Sequence, residues 1–132
     1  MKTNPGIILD STSCEGFSLS VYSIEKTSGG FIIHPVGSLD MNSYFILEKK
    51  VELILDSAPE VIIFDMEYVY YINCSGLRVI LRTIKQMKQR NRRVYLMNPQ
   101  VQIMEMFEIM NGLIPPWIFA DPKELEHYLK PV

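Results

Sequence analysis

Tyr70-Tyr71-Ile72-Asn73-Cys74-Ser75-Gly76-Leu77, continued to Ile84, is the stretch that decides how this chain folds. An apolar, strand-like run stops at Asn73-Cys74-Ser75-Gly76 and a helical pattern begins at once. Leu77, Ile80, Leu81, Ile84 and Met87 share one stripe, and Arg78, Arg82, Lys85 and Gln89 fall on the other face. A strand ending in small polar residues directly before a helix gathers backbone N–H groups and side-chain acceptors at one exposed point. Such a point suits an anion or a partner, so the junction is the first place to look for function.

Upstream, Val61 to Phe64 is a short continuous apolar run of the kind buried on both faces of a parallel sheet, and Asp65 closes it. Before it, Tyr44, Leu47, Val51, Ile54 and Leu55 recur at helical spacing from Asn42 or Ser43 to near Pro59, with Glu48, Lys49 and Glu52 outward. Phe17 to Glu25 and Phe31 to Val36, separated by Ser28-Gly29-Gly30, read as a hairpin or two neighbouring strands that end at Gly37 to Asp40. Residues 1–16 show no period and carry Pro5, Gly6 and Gly16, which predicts a flexible lead-in ahead of a domain over 17–132. Downstream, Val94 to Met97 reads as a strand and Val101 to Met110 as a helix ended by Asn111-Gly112. Ile118 and Phe119 add a short strand, and Asp121-Pro122 opens a terminal helix with Leu125, Tyr128 and Leu129 inward. Strands alternating with about four helices predict one layered α/β domain.

A chain of 132 residues is long enough for one domain with a real core and too short for two ordinary ones. Its 48% hydrophobic and 21% charged content, with a net charge of −2, gives no bulk charge to hold it on nucleic acid or an anionic membrane. No run approaches the ~18 apolar residues of a membrane span, and no secretory leader is evident, so a soluble, cytoplasmic protein is expected. Cys14 and Cys74 form no CxxC, which points away from a disulfide framework or a cysteine zinc site. His34 in an apolar strand and His127 in the last helix have no ligand spacing between them, so neither metal nor cofactor is expected.

The order Gly37-Ser38-Leu39-Asp40, a helix, Val61-Ile62-Ile63-Phe64-Asp65, then Tyr71-Ile72-Asn73-Cys74-Ser75-Gly76-Leu77, with Phe107, Gly112 and Leu113 downstream, resembles the STAS domain of bacterial anti-sigma factor antagonists. The match spans about residues 17–130 and rests on the order of the pieces, each weak alone. The resemblance implies a small mixed sheet and a binding module, not an enzyme, acting in partner-switching regulation of transcription. It implies that a G-x-L-D segment and a D-S-[STA]-G-L segment meet beside the second helix. In that family the first serine there is phosphorylated by an anti-sigma factor that is also a kinase, and the unphosphorylated form binds that kinase.

Here Asn73 stands in the aspartate position and Cys74 in that of the phosphorylated serine. Ser75 is the one nearby hydroxyl, either a candidate phosphosite or a first-turn serine that satisfies a backbone donor. Cys74 is open to two readings: a thiol activated by the helix N-terminus, or a small buried hydrophobe. The arginine six residues after a cysteine-phosphatase nucleophile is absent, since that position is Ile80. The resemblance thus places the partner surface on Asp40, Met41, Asn42, Asn73, Cys74, Ser75, Gly76, Leu77 and Arg78. Alternatives are a non-phosphorylated STAS subunit docking on a transporter or other regulatory complex, and a thiol-dependent enzyme or redox sensor built on Cys74.

Three further features invite the same weighing. Arg78, Arg82, Lys85, Lys88, Arg90, Arg92 and Arg93 cluster along one helix and its exit, as a solvated face or as a patch for an acidic partner. Met104, Met106 and Met110 with Phe107 and Ile109 make the third helix apolar on more than one side, for core filling and for docking. Asp65 ends its strand on the carboxyl edge, where it caps or solvates a turn or joins a site.

Overall fold

Val61–Asp65 (β4) lies at the centre of the sheet because it is apolar on both sides of its period of two. The computed structural model describes residues 7–11, 21–27, 29–109 and 119–126. Ile62 and Phe64 point into a large core beneath the helices, and Val61 and Ile63 into a smaller one on the opposite face. The strands beside it follow the same division. Ile33, Val94 and Leu96 join the large core, and Ile32 and Met97 join the small one with Ala120 and Leu125.

Among the described residues the sheet has seven strands, in the order β1-β2-β3-β4-β6-β7 with β5 beside β3. They are Ile7–Ser11 (β1), Val21–Thr27 (β2), Gly30–Leu39 (β3), β4, Val69–Ile72 (β5), Arg93–Met97 (β6) and Phe119–Ala120 (β7). The first two pairings are antiparallel and the rest parallel, which makes the sheet mixed as the resemblance implies. The helices Tyr44–Asp56 (α1), Cys74–Gln89 (α2) and Val101–Ile109 (α3) supply the large core through Leu47, Val51, Ile80, Met87, Ile103 and Phe107, among others. No helix among the described residues is long and apolar enough to cross a membrane.

The structure departs from the sequence reading in several places. β3 does not stop at Gly37. Gly37 takes φ +112°, and the register shifts between Gly37 and Ser38, so the strand bulges and passes from β4 to β5. Within the expected lead-in, Ile7–Ser11 pairs with β2, because an edge strand needs only backbone partners and no period of its own. The expected domain boundary at residue 16, Phe17, the Asn111-Gly112 stop, Met110, Ile118 and the inward Tyr128 and Leu129 lie outside the described residues. The terminal helix is represented by one turn, where Asp121 Oδ1 accepts the Lys123 N–H at 2.9 Å and Leu125 is buried.

Candidate partner-binding site

The junction is held together at the Leu39 carbonyl. Leu39 ends β3 fully buried, and its carbonyl accepts the Asn73 N–H at 3.1 Å, which continues the β3–β5 pairing one residue past β5. Asn73 then caps α2: its Oδ1 accepts the N–H groups of Ser75 at 3.0 Å and Gly76 at 3.3 Å. The amide oxygen performs the capping that an aspartate would, without its charge. A Cβ on Gly76 would lie 2.4 Å from the Leu39 oxygen and 2.7 Å from Leu39 Cγ. Gly76 therefore lets α2 approach β3, and the partner-facing use first assigned to it gives way to an internal one.

The G-x-L-D loop is fixed as firmly. Asp40 Oδ1 accepts the Asn42 N–H at 2.9 Å, and the Asp40 carbonyl accepts the N–H groups of Ser43 and Tyr44. Fully buried Ser43 accepts the Asp40 N–H at 3.0 Å and donates to the Ser38 carbonyl at 2.8 Å. Ser43 thus ties the loop to β3 in place of bonding the first turn of α1. Met41, 67% exposed, and Asn42 are pushed into solvent.

Of the nine residues singled out, Met41, Asn42, Cys74 and Arg78 are exposed and Asp40, Asn73 and Ser75 half-buried, while Gly76 and Leu77 lie beneath the surface they support. The buried-hydrophobe reading of Cys74 is corrected: its thiol is exposed. Residue 74 begins the helix on the side away from the core, which Leu77, Ile80 and Ile84 occupy. Beside it, Cys74, Leu77, Arg78, Leu81 and Met106 line a cleft of about 210 Å³ between α2 and α3. Leu81, expected inward, is only half-buried at this cleft. Met104 and Met106 are half-buried, Phe107 buried and Ile109 exposed, so α3 divides between core and surface.

Sequence reasoning missed two features. Tyr70 and Tyr71 read as part of an apolar run, yet each is about half exposed because β5 sends only Val69 and Ile72 into the core, and Tyr68 just before the strand is exposed beside them. The other is a polar network on the smaller-core face, away from the junction. His34 Nδ1 bonds Asp65 Oδ2 at 2.9 Å, and His34 Nε2 lies 3.7 Å from Glu25 Oε2. Asp65 Oδ1 accepts the Glu67 N–H and the Asn98 side-chain N–H. The Asp65 hydrogen bond raises the His34 pKa against the opposing effect of burial, with the charges of Asp65 and Glu25 adding to it. Burial pushes the Asp65 carboxyl up, but the bonds from His34, Glu67 and Asn98 and the imidazolium charge together leave it lowered. Asp65 caps the turn after its strand, as expected, and is in addition a buried partner of His34. The signal available in sequence was register alone: His34 and Asp65 each follow the last paired residues of adjacent parallel strands, Ile33 and Phe64.

A mixed sheet with a bulged β3, β5 beside its end and a capped helix at the joint is the architecture of a STAS domain. The chain belongs to that family, whose model matches residues 22–124. Its fold is similar to that of the Bacillus cell fate determinant SpoIIAA in its phosphorylated form, with a TM-score of 0.65 and 22% identity over 80% of this chain and 94% of that one. It is also similar to an anti-sigma factor antagonist from Mycobacterium paratuberculosis, with a TM-score of 0.57 and 15% identity over 87% and 88%. A third likeness is to the murine Solute Carrier 26 family member A9 anion transporter, with a TM-score of 0.55 and 18% identity, covering 64% of this chain but 14% of the transporter. Among curated proteins, none matches.

Proposed function

We propose that this chain is a protein-binding module of the anti-sigma factor antagonist type, and that its partner is an anti-sigma factor with a kinase domain. The observation that carries the reading is the rigid convergence of two loops on one carbonyl, that of Leu39. It presents Met41, Asn42, Cys74 and Arg78 together, on backbone already fixed before a partner arrives. Cytoplasmic placement and a role in transcription regulation belong to the same proposal.

Cys74 sets the manner of control. A thiol takes the phosphoacceptor position, so binding is not gated by phosphate on residue 74, and Ser75 is the one hydroxyl beside it. The Cys74 thiol makes no hydrogen bond among the described residues, so no neighbouring base stands ready to activate it as a nucleophile. This supports a binding role over covalent catalysis. The second reading, a subunit docking on a transporter without a phosphoswitch, draws on the same substitution.

The test uses a kinase-type anti-sigma factor and ATP, with intact mass and calorimetry as readouts. The expected result is no phosphate on residue 74, little or none on Ser75, and binding that survives ATP. Cys74→Ser should accept one phosphate and then release the partner. Stoichiometric phosphorylation of the parent at this loop overturns the proposal for Cys74, and absence of binding by both forms overturns the choice of partner.

A further inference from the structure

Beyond the junction, the exposed side of α2 carries a pattern of which the proposed function uses only the first two residues. Cys74, Arg78, Leu81, Lys85 and Lys88 follow one another at intervals of four, three, four and three residues. That alternation keeps them on one helix face and matches the seam along which two helices pack. Four of the five are exposed, and Leu81 is half-buried beside Met106 in the α2–α3 cleft. The seam runs about 21 Å, from a rise of about 1.5 Å per residue.

The charges on this side are unspent. Arg82 bonds Glu48 at 3.0 Å, Arg90 donates to the Leu55 carbonyl, Arg92 faces Glu60 and Arg93 bonds the Tyr95 hydroxyl. The side chains of Arg78, Lys85 and Lys88, the three on the seam, make no hydrogen bond or ion pair among the described residues. From Tyr68 through Met104 the chain contains no Asp or Glu, yet seven of its 13 Lys and Arg residues lie there, although the whole chain is net negative at −2. The positive field is therefore concentrated on this helix and its exit.

We infer that the α2 seam receives an amphipathic helix of an acidic protein partner, one that seats an apolar side chain in the cleft at Leu81 and Met106 and sets carboxylates against Arg78, Lys85 and Lys88. Charge complementarity selects the acidic occupant, and the apolar cleft selects a protein side chain over a phosphate backbone. Nucleic acid fits less well because the seam carries no aromatic residue for stacking bases. The exposed carboxylates Glu105 and Glu108 of α3 repel the same occupant and hold it to the α2 side. This extends the proposed function along α2, but it rests on Lys85 and Lys88, which the junction does not contain.

The probe is a synthetic helix of 16 residues, the length of α2, with leucine at the seam positions and glutamate flanking them, beside an analogue with every glutamate replaced by glutamine. Anisotropy should show the acidic helix binding at least about tenfold more tightly than the neutral one, and losing most of that advantage between about 0.1 and about 1 M salt, as the Debye length falls from about 10 to about 3 Å. The double variant Lys85→Glu, Lys88→Glu should lose about tenfold or more with an unchanged thermal melt, whereas Arg92→Glu binds like the parent. Ser75→Glu separates the two surfaces: even where it abolishes docking of an anti-sigma factor, it should still bind the acidic helix more tightly than the neutral one, through Lys85 and Lys88. Equal binding of the acidic and neutral helices, or parent-like binding by the double variant, overturns the inference. So does preferential binding of duplex DNA or anionic vesicles by the parent, or self-association lost in the double variant.

Discussion

Replacing Gly76 by alanine sets two effects against each other. In an ordinary helix interior the change favours folding by about 0.8–1 kcal/mol, because alanine has less backbone freedom to lose. In α2 the new methyl group falls 2.4 Å from the Leu39 carbonyl oxygen, 2.7 Å from Leu39 Cγ and 3.0 Å from Ile72 Cγ1. The nearest obstacle is backbone, and it is held in place by the Asn73 N–H. Relief requires the first turn of α2 to lift from β3, against a core in which Leu39 is fully buried and Leu77 nearly so. Overpacking of this kind costs about 1–3 kcal/mol, and the need to move backbone puts the cost in the upper half of that range. Set against the propensity gain, the net loss is about 1–2 kcal/mol, or a fall in Tm of about 3–8 °C for a domain of this size. Calorimetric melts of Gly76→Ala beside Ser75→Ala make the measurement. The second variant improves helix propensity on the outer side without the contact, so it should melt at or above the parent. A Gly76→Ala protein that melts at or above the parent would refute the close approach and the account of the junction built on it.

Other outcomes follow from the same geometry. Asn73→Ala removes the acceptor of two N–H groups and should cost about 1 kcal/mol, while Asn73→Asp should recover the loss; equal melts for all three proteins would show that the cap contributes nothing. In a Cys14→Ser background, iodoacetamide should label exposed Cys74 in the folded protein nearly as fast as in the unfolded one, and strong protection would contradict its exposure. Ser75→Glu should weaken anti-sigma factor binding severely with little change in Tm, since a helix N-terminus favours negative charge by about 0.3–1 kcal/mol; the reverse ranking with Arg92→Glu, read by calorimetry, would move the interface to the helix exit. For pH, the raised His34 pKa contributes stability that is complete below its ordinary 6.5 and fades as pH rises through the folded value. The lowered Asp65 pKa contributes stability present above its ordinary 3.8 and lost as pH falls through the folded value. Melts should therefore be highest between these limits, and His34→Gln should abolish the decline on the alkaline side; an unchanged alkaline limb would remove His34 from the account.

What the sequence determined by itself is what depends on neighbours along the chain. The apolar period of α2, the continuous run of β4 and the small polar residues Asn73-Cys74-Ser75-Gly76 before a helix are local patterns, and they announced the elements, their order and the junction. Tertiary structure decided whatever depends on which strands lie side by side. Gly37 reads as a terminator in sequence, but becomes a bulge once β5 takes over pairing with the end of β3. Gly76 reads as an opening for a partner, and only the Leu39 carbonyl beside it reveals the space already taken. His34 and Asp65 lie 31 residues apart and meet through parallel pairing of β3 with β4. Cys74 is outward because residues 76, 77 and 80 turn inward, a division that depends on where α2 lands on the sheet. Chain periodicity fixes which residues share a face of an element; only packing decides which face meets another element and which is left for a partner.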